Sequence, residues 1–427
     1  MTLRSHLRIG SPLWLGLLLM CFTVYYYVDV AAEWSDPHGI GWAPGMVATA
    51  LGTPSSYCTA FVAVMAAWEA GRLARGGFWE LAPARTRAHV VARQLWPAVT
   101  MAWLAALAPV VVSLVQNRTV PDGWSLLPLG TVLADLVLWA VVGFVAGTKV
   151  NPLIAAPAVG VLSFLLVATS VAVGPAWWRQ VAGSIAEAPV AGETYSLAAA
   201  AAPVLFTAGL AGAAVLLWTL TAPRTVRVVT ALALVTAVTF GASRIVDGWG
   251  YFGGMRTQAV PTSCAGHAPE ICVAASSKAG PESLRAEVTR TVERLQSAGV
   301  AQPPEKVIDT ATQGRYPQPS SAKTWYVPLT SSARKGELGY QVMRDAVRFP
   351  CRAPQQNWAR AVLAWAAERT GQTTPYEKAL RADPFFDDLI WQKDRKQIDK
   401  VLRLPESGQR TWFAHGLDAA CAKGRTA

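Results

Sequence analysis

Charge is what this sequence has least of. Asp, Glu, Lys and Arg make up 15% of it, against about a quarter of a soluble globular chain. That shortage excludes a protein solvated by water along its whole length. It is also uneven: residues 1–245 hold 13 of the 38 Lys and Arg and 9 of the 27 Asp and Glu, leaving 25 and 18 for residues 246–427. The chain therefore divides into a membrane half and a water-soluble half. Runs of cations are missing too, none in the second half exceeding two residues, as at Arg334-Lys335. The net charge of +11 is thus not gathered into the clustered, phosphate-tracking surface that nucleic acid requires, and no nucleic-acid partner is expected.

Catalytic motifs are absent as well. There is no G-x-x-x-x-G-K-[ST] phosphate loop, so the chain lacks the amides and the lysine needed to hydrolyse ATP by itself. No H-E-x-x-H or G-x-S-x-G occurs. Of five histidines only His267 and His415 fall in the second half, and neither has a sequence-local partner for a triad. Asp387 and Asp388 could pair as carboxylates, but beside Lys393, Arg395 and Lys396 they read as an exposed helix face. No enzyme activity and no cofactor are expected of this chain.

What is abundant is apolar length. A hydrocarbon core about 30 Å thick takes roughly 20 apolar residues in a helix. Seven stretches qualify or nearly so, at about 12–32, 46–68, 95–116, 127–148, 152–174, 197–221 and 225–244. Arg and Lys in the connecting segments set the orientation. Alternate segments hold ten of them (Arg4, Arg8, Arg72, Arg75, Arg85, Arg87, Arg93, Lys149, Arg224, Arg227), and the others hold three (Arg118, Arg179, Arg244). The expectation is a multi-pass plasma-membrane protein with its N-terminus in the cytoplasm and residue 246 onward outside. The first stretch runs on through Tyr25-Tyr26-Tyr27-Val28, longer than the apolar region of a signal peptide, and reads as a retained helix. Trp34, Trp42, Trp96, Trp124, Trp177 and Trp178 lie at predicted span ends, where an indole suits the headgroup region.

Six cysteines are present. Cys21 and Cys58 fall inside spans and read as small apolar residues. Cys264, Cys272, Cys351 and Cys421 all belong to the second half, and an even count on the oxidising side reads as two disulfides. Three connectivities are open; the favoured one is Cys264 with Cys272 and Cys351 with Cys421. The rival is a metal site, but the spacing is not C-x-x-C, and His267 and Glu270 do not complete a zinc pattern.

Within the spans, Asp135 is an ionisable group about eight residues from the outer end of the fourth. Such a group is expensive in lipid and is a functional candidate by default; the plainer alternatives are a shallow position in reach of water, or a bond to Thr131. The second half carries helical spacing at Pro281–Ala298, Tyr340–Val347, Gln356–Thr370, Tyr376–Ala382, Phe385–Leu402 and Gly408–Ala422. Two short strands are expected, at Ile271–Ala274 and Thr324–Leu329.

The longest loop on the cytoplasmic side joins the second and third spans. It reads Glu69, a Gly76-Gly77 turn, then Phe78-Trp79-Glu80-Leu81-Ala82-Pro83-Ala84-Arg85, and a basic helix from Arg87 to Arg93. At these residues the chain resembles permease subunits of the type-2 exporter class of ABC transporters. The resemblance covers roughly residues 1–222 and includes the tight Gly147-Thr-Lys149-Val-Asn-Pro152 turn. It implies a six-span permease core, a homodimer or heterodimer in the bilayer, and a separate ATPase docking on the loop. Phe78, Trp79, Glu80, Pro83, Arg85 and Arg87 would then be the ATPase-coupling residues. Two departures stand out: a seventh span with an appended domain, and an amphipathic cytoplasmic helix before the first span reduced to about eleven residues, including Arg4, His6 and Arg8. The second half is similar to C-terminal domains of unknown function attached to such cores.

The fold expected is mostly α, a polytopic helix bundle followed by a small, mainly helical, disulfide-stapled domain. The parts would be 1–222 (permease-like core), 223–262 (seventh span and linker) and 263–427 (extracytoplasmic domain). The expected function is the membrane subunit of an ABC-type export or resistance transporter. The alternative is a membrane-anchored sensor or binding protein that transports nothing.

Overall fold

Each of the seven apolar stretches is helical in the computed structural model of the chain. The structure describes residues 11–36, 39–77, 86–172, 174–182, 188–384 and 386–422. The helices are α1 (Ser11–Tyr26), α2 (Ala43–Arg75), α3 (Arg87–Asn117), α4 (Leu126–Lys149), α5 (Pro152–Ala168), α6 (Leu197–Thr219) and α7 (Arg224–Ile245). A π-helical turn, Tyr27–Ala31, and the short helix Ala32–Ser35 continue α1, and the Tyr27 hydroxyl donates to Ser35 Oγ at 3.1 Å. Among the described residues five helices are long and apolar enough to cross a membrane, and a sixth if α2, bent by 49° between Ala43–Gly52 and Pro54–Arg75, is one span. The helix α5 has 17 residues and is apolar but short for a full crossing. The chain is a membrane protein by this length and composition.

The chain separates into two units, one of residues 1–37 and 41–258, the other of 38–40 and 259–427. In the first, α2 lies at the centre and packs on α3, α4 and α5, while α1 packs on α3 and α6 lies between α4 and α7. Backbones approach closely because small residues face each other. A Cβ added at Gly143 or Gly147 of α4 would overlap the carbonyl oxygens of Ala63 and Ala67 in α2. This small-xxx-small pairing is how membrane helices gain van der Waals contact where lipid removes the hydrophobic drive. Away from these seams the helices are apolar outward, as at Trp14, Leu18, Leu153, Ile154, Val229 and Leu232. A strand β1 (Glu193–Tyr195) pairs antiparallel with β2 (Met255–Thr257), so part of the stretch expected to be linker is structured.

The second unit is built on one four-stranded sheet where the sequence pattern predicts two strands. Its order is β3 (Thr262–Ala265), β4 (Glu270–Ala274), β5 (Lys306–Asp309) and β6 (Thr324–Val327), with β3–β4 antiparallel and the rest parallel. Helices α8 (Pro281–Ala298), α9 (Leu338–Ala346), α10 (Gln356–Thr370), α11 (Thr373–Arg381), α12 (Asp388–Leu402) and α13 (Glu406–Ala420) complete it. The core comprises Ile271, Leu295, Trp325, Leu338, Met343 and Trp365 with their neighbours. The amphipathic spacing of Leu284, Val288, Val292 and Leu295 does bury one face of α8. Asp309 is buried yet satisfied: it accepts from Ala311 N at 3.1 Å, from Thr330 N at 2.9 Å and from the Thr330 hydroxyl. Trp365 Nε1 donates to Gln409, whose amide in turn donates to the Leu402 and Leu404 carbonyls.

Candidate functional site

The residues flanking the α2–α3 loop are held by a buried carboxylate. Glu69, 4% exposed near the end of α2, accepts from Arg72 Nη1 at 3.0 and 3.3 Å and from Gln94 Nε2 of α3 at 2.7 Å. The Gln94 bond ties two helices across the mouth of the loop, while the Arg72 pair, on the same helix, orients the carboxylate. One turn further on, Arg75 stacks over the Trp68 ring at 5.9 Å. The chain then leaves α2 through Gly76 and Gly77, and Gly77 adopts φ +60°, a left-handed conformation open to glycine. It re-enters at α3 with Thr86 as cap, its hydroxyl accepting from His89 N at 3.4 Å. Arg87 is the first residue of α3 and is exposed. Phe78, Trp79, Glu80, Pro83 and Arg85, the other coupling-loop candidates, lie outside the described residues.

The α4–α5 turn meets the same end of α2. Asn151 Oδ1 accepts from Leu153 N at 3.0 Å and so caps α5, with Pro152 in its first turn. Gly71 of α2 rests on the Pro152 ring so closely that a Cβ there would clash. This end of the unit therefore carries Arg72, Arg75, Arg87, Arg93 and Lys149, with the acid Glu69 buried between α2 and α3.

Asp135 lies nine residues into α4, roughly 14 Å along a helix rising 1.5 Å per residue. It is 6% exposed. The Thr207 side chain of α6 is its polar neighbour, although that hydroxyl donates to the Pro203 carbonyl at 3.0 Å, and among the described residues the Asp135 Oδ1 has no hydrogen-bond partner. Thr131 is occupied elsewhere, donating to the Leu127 carbonyl at 3.0 Å, so the local bond the sequence suggested is not formed. An ionisable oxygen left unsatisfied inside an apolar bundle is costly, and persists where a proton or a cationic group completes it.

In the second unit the four cysteines form two pairs at disulfide distance, Cys264 with Cys272 and Cys351 with Cys421. The first joins facing residues of β3 and β4. The second ties the end of α13 to the segment before α10, beside the Gln355 N to Ala420 O bond of 2.8 Å. Glu270 stands near Cys264 and Cys272, but the two sulfurs bond each other and are not available as thiolate ligands. Glu270 instead pairs with Lys306 at 2.6 Å. Sequence reasoning missed Gln94 and Thr207, each a polar residue in an apolar helix. Polarity in such a helix is the signal that could have found them.

Compared with known proteins, the chain matches no family model, and neither a curated protein nor a solved structure is similar to it.

Proposed function

We propose that this chain is the membrane subunit of an ABC-type export or resistance system, working as a dimer with a separate cytoplasmic ATPase. The observation that carries the reading is the Glu69–Gln94 tie at the base of the α2–α3 loop. A loop that receives force from a partner must pass it to the spans, and a buried, charge-assisted bond joining both flanking helices is a stiff way to do so. The cations at this end support a cytoplasmic location for it by the positive-inside rule. Counting α5 as a further crossing makes seven, and on that count the second unit lies outside, where its cysteine pairs suit an oxidising compartment. Asp135 would face substrate or a proton within the bundle. The second reading, a membrane-anchored sensor, draws on the self-contained core of the second unit.

Scrambling residues 78–85 separates the two. Export requires the loop, so the scrambled chain, still folded, loses its ATPase partner in a mild-detergent pull-down. A sensor keeps full ligand response with the loop scrambled, and that outcome would displace the export reading.

A further inference from the structure

The helix α12 has two faces of opposite character. Trp391, Asp394, Ile398 and Val401 are buried, and they recur at three- and four-residue spacing. Offset from them on the same spacing are Leu389, Lys393, Lys396, Lys400 and Arg403, all exposed. The outward face is thus a line of four cations with a leucine at its start. Leu389 is 76% exposed, and Ile390 beside it and Leu404 just past the other end are each 44% exposed.

The acids nearby are committed elsewhere. Asp388 pairs with Arg381, Asp394 with Arg360, Asp399 with Arg395, Glu368 also with Arg395, and Glu406 with Arg369. Among the described residues none of the four outward cations is in an ion pair, so none is neutralised by a direct contact.

We infer that this face of α12 docks on an anionic phospholipid surface, that of the bilayer in which the chain's own spans lie. A cationic line between exposed aliphatic residues fits a headgroup layer. The cations meet lipid phosphates, and Leu389, Ile390 and Leu404 enter the acyl boundary. A purely polyanionic partner would leave those aliphatic residues in water. The seven apolar helices of the same chain supply the bilayer at high effective concentration, so a weak surface contact suffices. Docking would restrain the second unit on the membrane. This inference does not depend on which side of the membrane that unit occupies, nor on the export reading.

The test uses the full chain in nanodiscs, of phosphatidylcholine alone or with ~30% phosphatidylglycerol, and reads amide hydrogen exchange across residues 386–404. Docking slows exchange there several-fold in the anionic discs and not in the neutral ones. The difference disappears near 1 M salt, where the screening length falls to about 3 Å. Each cation removed lowers surface partitioning about five-fold, so the variant K393Q/K396Q/K400Q/R403Q loses the difference while α8 and the sheet exchange as before. Leu389→Gln weakens it at unchanged net charge. Equal exchange in both kinds of disc would overturn the inference. So would protection that the quadruple variant retains, or protection that arises only on adding soluble polyphosphate.

Discussion

Replacing Glu69 with alanine probes the tie between α2 and α3. The carboxylate accepts from Gln94 at 2.7 Å, a charge-assisted bond in a buried site worth about 1.5–3 kcal/mol. Arg72 contributes less, because its side chain is 45% exposed and returns to water when released; screening holds its share below about 1 kcal/mol. Glu69→Ala is therefore expected to cost roughly 2–4 kcal/mol, most of it through Gln94. Unfolding by SDS titration in mixed micelles measures this for Glu69→Ala, Gln94→Ala and the double variant. The two residues share one bond, so the double variant loses less than the sum, with a coupling of about 1.5 kcal/mol. Costs that add to within ~0.5 kcal/mol would refute the tie. Arg72→Ala, by the same reasoning, shifts the midpoint little.

Four further outcomes are expected. Gly143→Ala or Gly147→Ala drives a Cβ into the backbone of α2 and lowers the SDS midpoint by the equivalent of about 1–3 kcal/mol. A Gly130→Ala control, with open space at its Cβ, changes it little. Cys351→Ser with Cys421→Ser opens a link spanning 70 residues; chain entropy puts the loss at about 4 kcal/mol, read as a lower unfolding midpoint of the second unit that reductant reproduces in the unmutated chain. On the export reading, Asp135→Asn, which keeps volume but removes the ionisable group, lowers transport steeply while an ATPase still co-purifies; unchanged transport would reduce Asp135 to packing. Burial raises the Asp345 pKa, partly offset by Arg344. A raised folded pKa means the folded state holds its proton longer, so stability is present at low pH and falls as pH rises through the ordinary carboxylate range into the raised one. Asp345→Asn should melt higher than the unmutated chain at pH 7, and the gap should close as pH drops below that range.

The apolar stretches and the cysteine pairs were legible because each rests on a local or countable signal. Runs of apolar residues need only length, and Cys264 and Cys272 are close enough in sequence to pair across one hairpin. The parallel strands were harder. Lys306–Asp309 offers four residues with two charged ends, too short for alternation to register, and it is a strand because β4 and β6 flank it. Thr262–Ala265 is exposed along most of its length and carries no buried period at all. The partner of Glu69 was illegible for a different reason. Gln94 lies 25 positions away, and contacts between helices follow from packing angles that no single helix encodes. The basic face of α12 was half visible. Its charges read as a solvated surface, but only burial of Trp391, Ile398 and Val401 fixes which residues point outward together.

The export reading stands or falls on a partner that this chain does not contain. Solubilised gently, captured by a tag on the folded full-length protein and resolved by mass spectrometry, the chain is predicted to bring down an ATPase in near-stoichiometric amount. That ATPase should be lost when residues 78–85 are scrambled and retained in Asp135→Asn. Intact, folded protein that captures no ATP-binding subunit under those conditions would contradict the account.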